Sequence, residues 1–224
     1  MNPLALTGTG GGADTPGGIG SPLREPGRRA VDRPPRASAE SFERLYAASP
    51  DPWRYDSSEY ERDKYAATLA ALDGRLFERA LEVGCSIGAF TELLADRCGE
   101  LTALDFSKRA LALARSRLCE RANVEIVEVS FPEQAPAGSW DLVVCSEVLY
   151  YLDPAALERA VGWLREQLSA GATVLAVDWR GPTTTEPHDG DEVHNLLRER
   201  FADWHALEGR RPGYRLDRFD GDGS

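Results

Sequence analysis

The chain has 224 residues, of which 42% are apolar and 28% charged, and this is the composition of a globular protein. A formal net charge of −11 disfavours binding to nucleic acid or to an anionic membrane surface. No apolar run reaches the roughly 20 residues of a membrane span, and the first residues lack the apolar stretch of a secretory signal. Four cysteines without metal-ligand spacing predict reduced thiols in a cytoplasmic protein.

Residues 1–38 differ in composition from the rest of the chain. They hold eight glycines and six prolines but few large apolar side chains, so they cannot bury enough surface to offset the entropy of ordering. We therefore predict a disordered tail over 1–38. The remainder, 39–224, is predicted to form one folded domain.

Helices and strands alternate along this domain. Apolar spacing and capping residues predict helices over 41–46, 58–72, 90–98, 107–118, 153–170 and 191–201. In the fifth of these, Asp153 is the cap and Pro154 is the first helical residue. Short apolar runs predict strands over 80–83, 101–104, 124–129, 142–145 and 173–177, followed by an antiparallel pair over 204–207 and 214–217. Such alternation with short connections predicts an α/β fold whose parallel sheet is covered on both faces.

Ligands of such sheets bind at the carboxyl ends of the strands, so the residues that follow each strand carry the functional signal. The first strand leads into Gly84 and Gly88, which let the backbone pass close to a ligand before a helix begins. Asp105 ends the second strand and is placed to accept hydrogen bonds from both ribose hydroxyls. Phe106 follows it and can lie against a purine ring. Together these residues predict a nucleoside site.

Glu82, just before the loop, indicates the chemical character of the group attached to that nucleoside. The two glycines are four residues apart, which is neither the G-x-G-x-x-G of dinucleotide sites nor a P-loop with its lysine. A carboxylate at Glu82 disfavours a pyrophosphate but favours a tail with an amine and a sulfonium. The pattern therefore points to S-adenosylmethionine.

Two other functions remain open at this point. The same loop fits G-x-S-x-G around Ser86, and Asp178 and His194 follow in the order of a hydrolase triad. However, that motif normally follows several strands and an oxyanion loop, and a hydrolase leaves both carboxylates of the nucleoside site unexplained. The other alternative is a non-catalytic nucleoside-binding domain used for interactions.

Three segments resemble the motifs of class I S-adenosylmethionine-dependent methyltransferases: Glu82–Gly88, Asp105 and Trp140–Tyr151. The resemblance implies a Rossmann-like, seven-stranded, mostly parallel sheet in the order 3-2-1-4-5-7-6 with helices on both faces. It also implies an enzyme whose cofactor is S-adenosyl-L-methionine and whose product is S-adenosyl-L-homocysteine.

More narrowly, the chain resembles the nodulation S-type (NodS-like) branch of bacterial methyltransferases. The segments that carry this resemblance are Asp51-Pro52-Trp53, Tyr60-Glu61 with Lys64-Tyr65, Ser146–Tyr151 and Gly190–His194. Members of that branch N-methylate an amino-sugar at the end of a chitin-like oligosaccharide. The resemblance implies a helical N-terminal lid, over about 41–75, that folds across the cofactor.

Cofactor contacts are expected from this lid and from the strand ends, because an aromatic ring beside a sulfonium is favourable once water is excluded. Ser130 stands where the family usually has an acidic residue near the adenine amine, so a different adenine contact is expected there. The residues assigned to the cofactor are Trp53, Tyr65, Glu82, Gly84, Cys85, Gly88, Asp105, Phe106, Ser130, Phe131 and Ser146.

Methyl transfer to an amine requires the acceptor to be aligned and to lose a proton. Glu147, at the end of the fourth strand, is predicted to orient the amine or take its proton, and His194 to take the proton near neutral pH. Residues predicted to line the acceptor pocket are Tyr150, Tyr151, Trp179 and His188. The predicted function is methylation of a small polar acceptor, with an amine favoured over a hydroxyl; the acceptor and the oligomeric state are left open.

Overall fold

A computed structural model describes residues 39–181 and 186–222. The predicted tail, 1–38, lies outside the described residues. None of the helices in the described ranges combines the length and the apolar character needed to span a bilayer.

Seven strands form one sheet. The third strand is one residue shorter than the apolar pattern predicts, and the other six are longer. They are β1 (Phe77–Val83), β2 (Cys98–Asp105), β3 (Val124–Glu128), β4 (Leu142–Ser146), β5 (Thr173–Trp179), β6 (His205–Arg210) and β7 (Tyr214–Asp220). The sheet order is β3-β2-β1-β4-β5-β7-β6. Strands β1 to β5 pair in parallel, and β7 is antiparallel to both β5 and β6. The predicted fold class and strand order are confirmed.

The helices of the described ranges are α1 (Ala39–Ala48), α2 (Glu59–Ala70), α3 (Ala89–Leu94), α4 (Lys108–Arg117), α5 (Pro154–Ser169) and α6 (Gly190–Arg200), with 3₁₀ turns at Ala95–Arg97 and Leu149–Tyr151. The hydroxyls of Ser58 and Ser107 and the carboxylate of Asp153 accept hydrogen bonds from main-chain amides in the first turns of α2, α4 and α5. These three helix starts agree with the sequence.

The helix predicted over 90–98 is too long. It ends at Leu94, a 3₁₀ turn follows, and Cys98 already pairs with Phe77 as the first residue of β2. The pairing of β2 with β1 therefore overrides the helical pattern at Cys98.

Strand β4 shows why the sheet is buried on both faces. Val143 and Cys145 belong to the core formed with α5 and α6, whereas Leu142 and Val144 belong to the opposite core formed with α2 and α3. All four side chains are fully buried. This arrangement leaves the carboxyl ends of the strands as the open edge, where α1 and the segment after it lie.

Candidate cofactor and acceptor site

A cavity lies at the carboxyl ends of β1, β2 and β4 and brings together many of the predicted site residues. Its wall includes the predicted cofactor residues Trp53, Gly84, Asp105, Phe106, Phe131 and Ser146, and the predicted acceptor residues Glu147, Tyr150 and Tyr151. An adjoining cavity shares Gly84, Ser86, Ser146 and Glu147 with the first and adds Lys64, Tyr65, Glu82 and Cys85.

The carboxylate of Asp105 is fixed by two main-chain amides. Its Oδ2 accepts a hydrogen bond from the Ser86 amide at 2.9 Å, and its Oδ1 accepts one from the Ser107 amide at 2.8 Å. Burial raises the pKa of Asp105, and these amide donors oppose the rise. Each carboxylate oxygen retains a second lone pair, as binding a pair of vicinal hydroxyls requires.

The two glycines of the first loop serve different purposes. Both have positive φ, 80° at Gly84 and 78° at Gly88. A Cβ at Gly84 would lie 2.1 Å from Cγ2 of Val148, so only glycine fits this part of the cavity wall. A Cβ at Gly88 would instead lie 3.0 Å from Cδ1 of Leu118, beyond the end of α4. Gly88 therefore allows helix packing and lines neither cavity.

Glu82 presents a buried carboxyl group in the adjoining cavity. The residue is 2% exposed, and its Oε2 has no hydrogen-bond partner among the described residues. Burial raises its pKa to about 7; the Thr91 hydroxyl opposes this rise and the charge of Asp105 adds to it. An unpaired buried carboxyl oxygen is unfavourable, so this position suits a ligand that brings a hydrogen-bond donor.

Glu147 is held by donors from three parts of the chain. Its Oε1 accepts a hydrogen bond from Nζ of Lys64 at 2.7 Å. Its Oε2 accepts one from the Tyr150 hydroxyl at 2.6 Å and one from the Trp179 amide at 3.2 Å. The backbone of Glu147 has φ of 58°, a left-handed conformation that is uncommon for residues other than glycine.

Lys64 is a site residue whose role is not apparent from the Lys64-Tyr65 motif. It is 1% exposed, and its Nζ also lies 2.9 Å from Oε2 of Glu61. Burial alone lowers the pKa of Lys64, but the carboxylates of Glu147 and Glu61 outweigh that effect and raise it. The signal available in the sequence was the three-residue spacing of Glu61 and Lys64 on one face of α2.

Aromatic rings from the N-terminal region cover the cavity. Trp53 lies 5.9 Å from the ring of Phe42 and 5.5 Å from that of Tyr46, and the hydroxyl of Tyr46 is 2.5 Å from Oγ of Ser86. Helix α1 is also tied to the start of α4, because Oε1 of Glu43 accepts a hydrogen bond from the Ser107 hydroxyl at 2.7 Å.

Four other predicted residues lie outside both cavity walls: Ser130, Trp179, His188 and His194. Ser130 is exposed and its amide donates to the side chain of Gln134, while its neighbours Val129 and Phe131 face the cavity. Trp179 reaches the site through its main-chain amide. His188 is half-buried in the segment before α6 and lines neither cavity.

His194 is not placed to take a proton from an acceptor in the cavity. It is fully buried, with Nε2 3.3 Å from Oδ2 of Asp178 and Nδ1 2.8 Å from Oδ2 of Asp217. The buried face of α6 carries it between β5 and β7, so the expectation of direct proton transfer is corrected. The hydrolase triad fails for the same reason, since Ser86 pairs with Tyr46 and both His194 nitrogens face aspartates.

These residues fit an adenosyl group with a cationic tail. The amide-anchored carboxylate of Asp105 suits ribose hydroxyls, and the unpartnered oxygen of Glu82 suits an ammonium. A site for a pyrophosphate would present amide donors and cations at these two positions, not carboxylates.

Comparison with known proteins agrees with this geometry. The family model described as Nodulation protein S (NodS) matches residues 37–176. Nodulation protein S of Sinorhizobium fredii is 40% identical over 116 residues, which are 51% of this chain and 54% of that protein. Nodulation protein S of Rhizobium tropici is 40% identical over 130 residues, 57% and 55% of the two chains. The chain thus spans about half the length of these curated relatives.

Solved structures extend the likeness over more of the chain. The N-methyltransferase NodS from Bradyrhizobium japonicum WM9 in complex with S-adenosyl-L-homocysteine superposes with a TM-score of 0.71 at 25% identity, covering 83% of this chain and 99% of that one. A putative methyltransferase from Pseudomonas syringae is 37% identical, with a TM-score of 0.62 and coverage of 72% and 98%.

The predictions of a class I methyltransferase fold and of S-adenosylmethionine as the cofactor of this class are confirmed. The likeness to nodulation protein S, first indicated by short motifs, is now shown by a family match over more than half of the chain. This chain therefore belongs to the nodulation protein S (NodS) family.

Proposed function

We propose that this chain is an S-adenosylmethionine-dependent N-methyltransferase for a small amine, and that an amino-sugar is the first acceptor to test. The observation that carries the proposal is one cavity that joins the carboxylate of Asp105 to that of Glu147. The printed activity of the Bradyrhizobium japonicum relative, an N-methyltransferase, supports nitrogen as the accepting atom.

The cofactor end of the cavity is assigned to the residues around Asp105. The two carboxylate oxygens of Asp105 accept hydrogen bonds from the ribose hydroxyls, and the rings of Phe106 and Phe131 lie on either side of the adenine. Glu82 pairs with the amine of the tail, and Trp53 places an aromatic face near the sulfonium. When bound, S-adenosylmethionine supplies an electrophilic methyl group.

The acceptor end is assigned to Glu147. Nζ of Lys64 lies 2.9 Å from Oε2 of Glu61 and 2.7 Å from Oε1 of Glu147, so two buried carboxylates meet one ammonium at this end of the site. A carboxylate in a buried site attracts a protonated amine more strongly than a neutral hydroxyl. Glu147 then accepts an N–H hydrogen bond, orients the nitrogen and takes the proton that the amine loses.

Helices α1 and α2 are proposed to act as the lid over the site. They supply Tyr46 and Lys64, whose polar atoms contact Ser86 and Glu147 of the domain below. A closed cover excludes water and holds the acceptor in line with the methyl group. Alignment of this kind supplies roughly 7–11 kcal/mol in favourable cases.

The test is methyl transfer from isotope-labelled cofactor to a tetramer of glucosamine, with the fully N-acetylated tetramer as the matched acceptor that lacks a free amine. We expect label on nitrogen of the first acceptor and none on the second. Glu147→Gln should keep the cofactor dissociation constant within about threefold and lower kcat at least about 100-fold. The control Glu120→Gln changes an exposed carboxylate and should alter neither.

Label on oxygen of the N-acetylated tetramer would refute the amine assignment. Full kcat in Glu147→Gln would refute the role of Glu147. A protein that binds the cofactor but methylates no amine in a panel of sugar, peptide and alkyl amines would instead be the non-catalytic binding domain.

A further inference from the structure

Three fully buried titratable side chains lie beside the site without lining it: Asp178 on β5, His194 on α6 and Asp217 on β7. The ring of His194 lies between the two carboxylates, 3.3 Å from Asp178 and 2.8 Å from Asp217. Nε of Arg215, itself 2% exposed, lies 3.2 Å from the same Asp217 oxygen as His194, and a guanidinium nitrogen of Arg198 lies 3.5 Å from the other oxygen. Burying several charged side chains costs free energy unless each charge is paired and hydrogen-bonded.

A carboxylate oxygen lies beside each ring nitrogen of His194: Nδ1 is hydrogen-bonded to Asp217 at 2.8 Å, and Nε2 makes an ion-pair contact with Asp178 at 3.3 Å outside hydrogen-bond geometry. A neutral imidazole has one nitrogen with a lone pair, and here that lone pair would point at a carboxylate oxygen. Burial disfavours the charged ring, but Asp178 and Asp217 outweigh burial and raise the pKa of His194. A proton on both nitrogens gives each carboxylate, one on β5 and one on β7, a cationic partner.

The residues on either side of Asp178 hold Glu147. The carbonyl of Val177 accepts a hydrogen bond from the Glu147 amide at 2.7 Å, and the amide of Trp179 donates to Oε2 of Glu147 at 3.2 Å. A Cβ at Gly190, the first residue of α6, would lie 2.2 Å from the carbonyl oxygen of Trp179. Helix α6 is therefore packed directly against the segment that orients Glu147.

We propose that His194 is a positioning residue for methyl transfer: as an imidazolium it holds Asp178, and with it the segment 177–179 that orients the Glu147 carboxylate. This role of His194 rests on the proposed function, in which Glu147 binds and deprotonates the acceptor amine. It also explains why the histidine of the Gly190–His194 motif lies in the core and not in the cavity.

Two measurements test this without an acceptor. In wild-type protein labelled with nitrogen-15 at histidine, we expect the two ring nitrogens of His194 to give imidazolium shifts at pH 7.5, and a neutral ring would overturn the proposal. In protein labelled with carbon-13 at the glutamate carboxyl, the Glu147 signal is identified by its loss in Glu147→Gln. His194→Gln should shift that signal, whereas His205→Gln, on the exposed face of β6, should leave it in place.

The kinetic test uses the glucosamine tetramer as probe. His194→Gln should lower kcat about 10- to 100-fold while the KM for the tetramer and the cofactor dissociation constant change less than about twofold. An unshifted Glu147 signal in folded His194→Gln, with full kcat, would overturn the positioning role. A shifted signal in a protein whose wild type methylates no amine would support the positioning role and reject the proposed function.

Discussion

Nζ of Lys64 lies 2.7 Å from Oε1 of Glu147, and this buried ion pair joins the N-terminal cover to the carboxyl end of β4. The two residues are 83 positions apart in the chain. The same ammonium contacts Glu61 within α2, so one lysine fixes the cover and balances part of the charge at the acceptor end. The N-terminal cover therefore supplies a positive charge, the Lys64 ammonium, to the acceptor end of the site.

Replacing Lys64 by methionine should be strongly destabilising. The variant Lys64→Met leaves two buried carboxylates without their cation, which typically costs about 3–5 kcal/mol of the free energy of unfolding. The control is Lys108→Met, because Lys108 is the other lysine of the chain and its ion pair with Glu128, at 3.6 Å, is exposed. Urea unfolding of both variants gives the comparison. Equal, small losses would show that the buried pair contributes nothing special.

Glu82 should make stability depend on pH. Its folded pKa, about 7, is higher than its ordinary value of 4.5, so the folded state binds the extra proton between these values. The stability contribution is present below pH 4.5 and is lost as pH rises to about 7, in total about 3 kcal/mol. Glu82→Gln should therefore unfold at a higher temperature than wild type at pH 8 and at nearly the same temperature at pH 4.5. A difference that does not change with pH would contradict this.

The same carboxyl group should make cofactor binding depend on pH in the opposite direction. The amine of the cofactor tail pairs with ionised Glu82, so affinity should rise about tenfold between pH 6 and pH 8. In Glu82→Gln the affinity should be weaker and flat over this range. Calorimetric titration at several pH values measures both. A steep rise that persists in the variant would assign the titration to another group.

Two glycine-to-alanine changes should have opposite signs. Gly88→Ala places a Cβ 3.0 Å from Leu118 at a φ of 78°, so we expect a loss of at least about 1–2 kcal/mol. Gly162→Ala lies within α5, where no atom of another described element lies within 4 Å of the added Cβ, and should stabilise by about 0.5–1 kcal/mol. Thermal unfolding of the two variants tests the sign, and a stabilising Gly88→Ala would refute the packing account of that loop.

Ser86 should be unreactive as a nucleophile, and methyl transfer should survive its replacement by alanine. Its hydroxyl pairs with Tyr46, and its amide, which Ser86→Ala preserves, is what holds Asp105. We expect no labelling of the wild type by a fluorophosphonate probe, and methyl transfer that persists in Ser86→Ala at a rate lowered only by the lost Tyr46 contact. Labelling that disappears in the variant would revive the hydrolase alternative.

The sequence was most informative where the signal is local. Helix starts at Ser107 and Asp153 follow from capping side chains, and Asp105 follows from its place after a strand. Strand order came from the resemblance to a family, because pairing between distant strands leaves no local pattern.

The unpredicted parts of the site depend on contacts between distant elements. Lys64 gains its role from Glu147, on another element, and His194 is buried by aspartates on β5 and β7. A lone histidine in an amphipathic helix gives no sign of such partners. The cofactor contact predicted for Ser130 has no support in the cavity wall, because the alternate residues Val129 and Phe131 face the cavity and Ser130 lies between them.

The most direct measurement is calorimetric titration with S-adenosyl-L-homocysteine of wild type, Asp105→Ala and the exposed control Asp203→Ala. The account predicts one site per chain in wild type and in the control. It predicts affinity at least about 100-fold weaker in Asp105→Ala, because two hydrogen bonds to a carboxylate are lost. Undiminished binding by Asp105→Ala, or no binding by the wild type, would contradict the assignment of this cavity to an adenosyl cofactor.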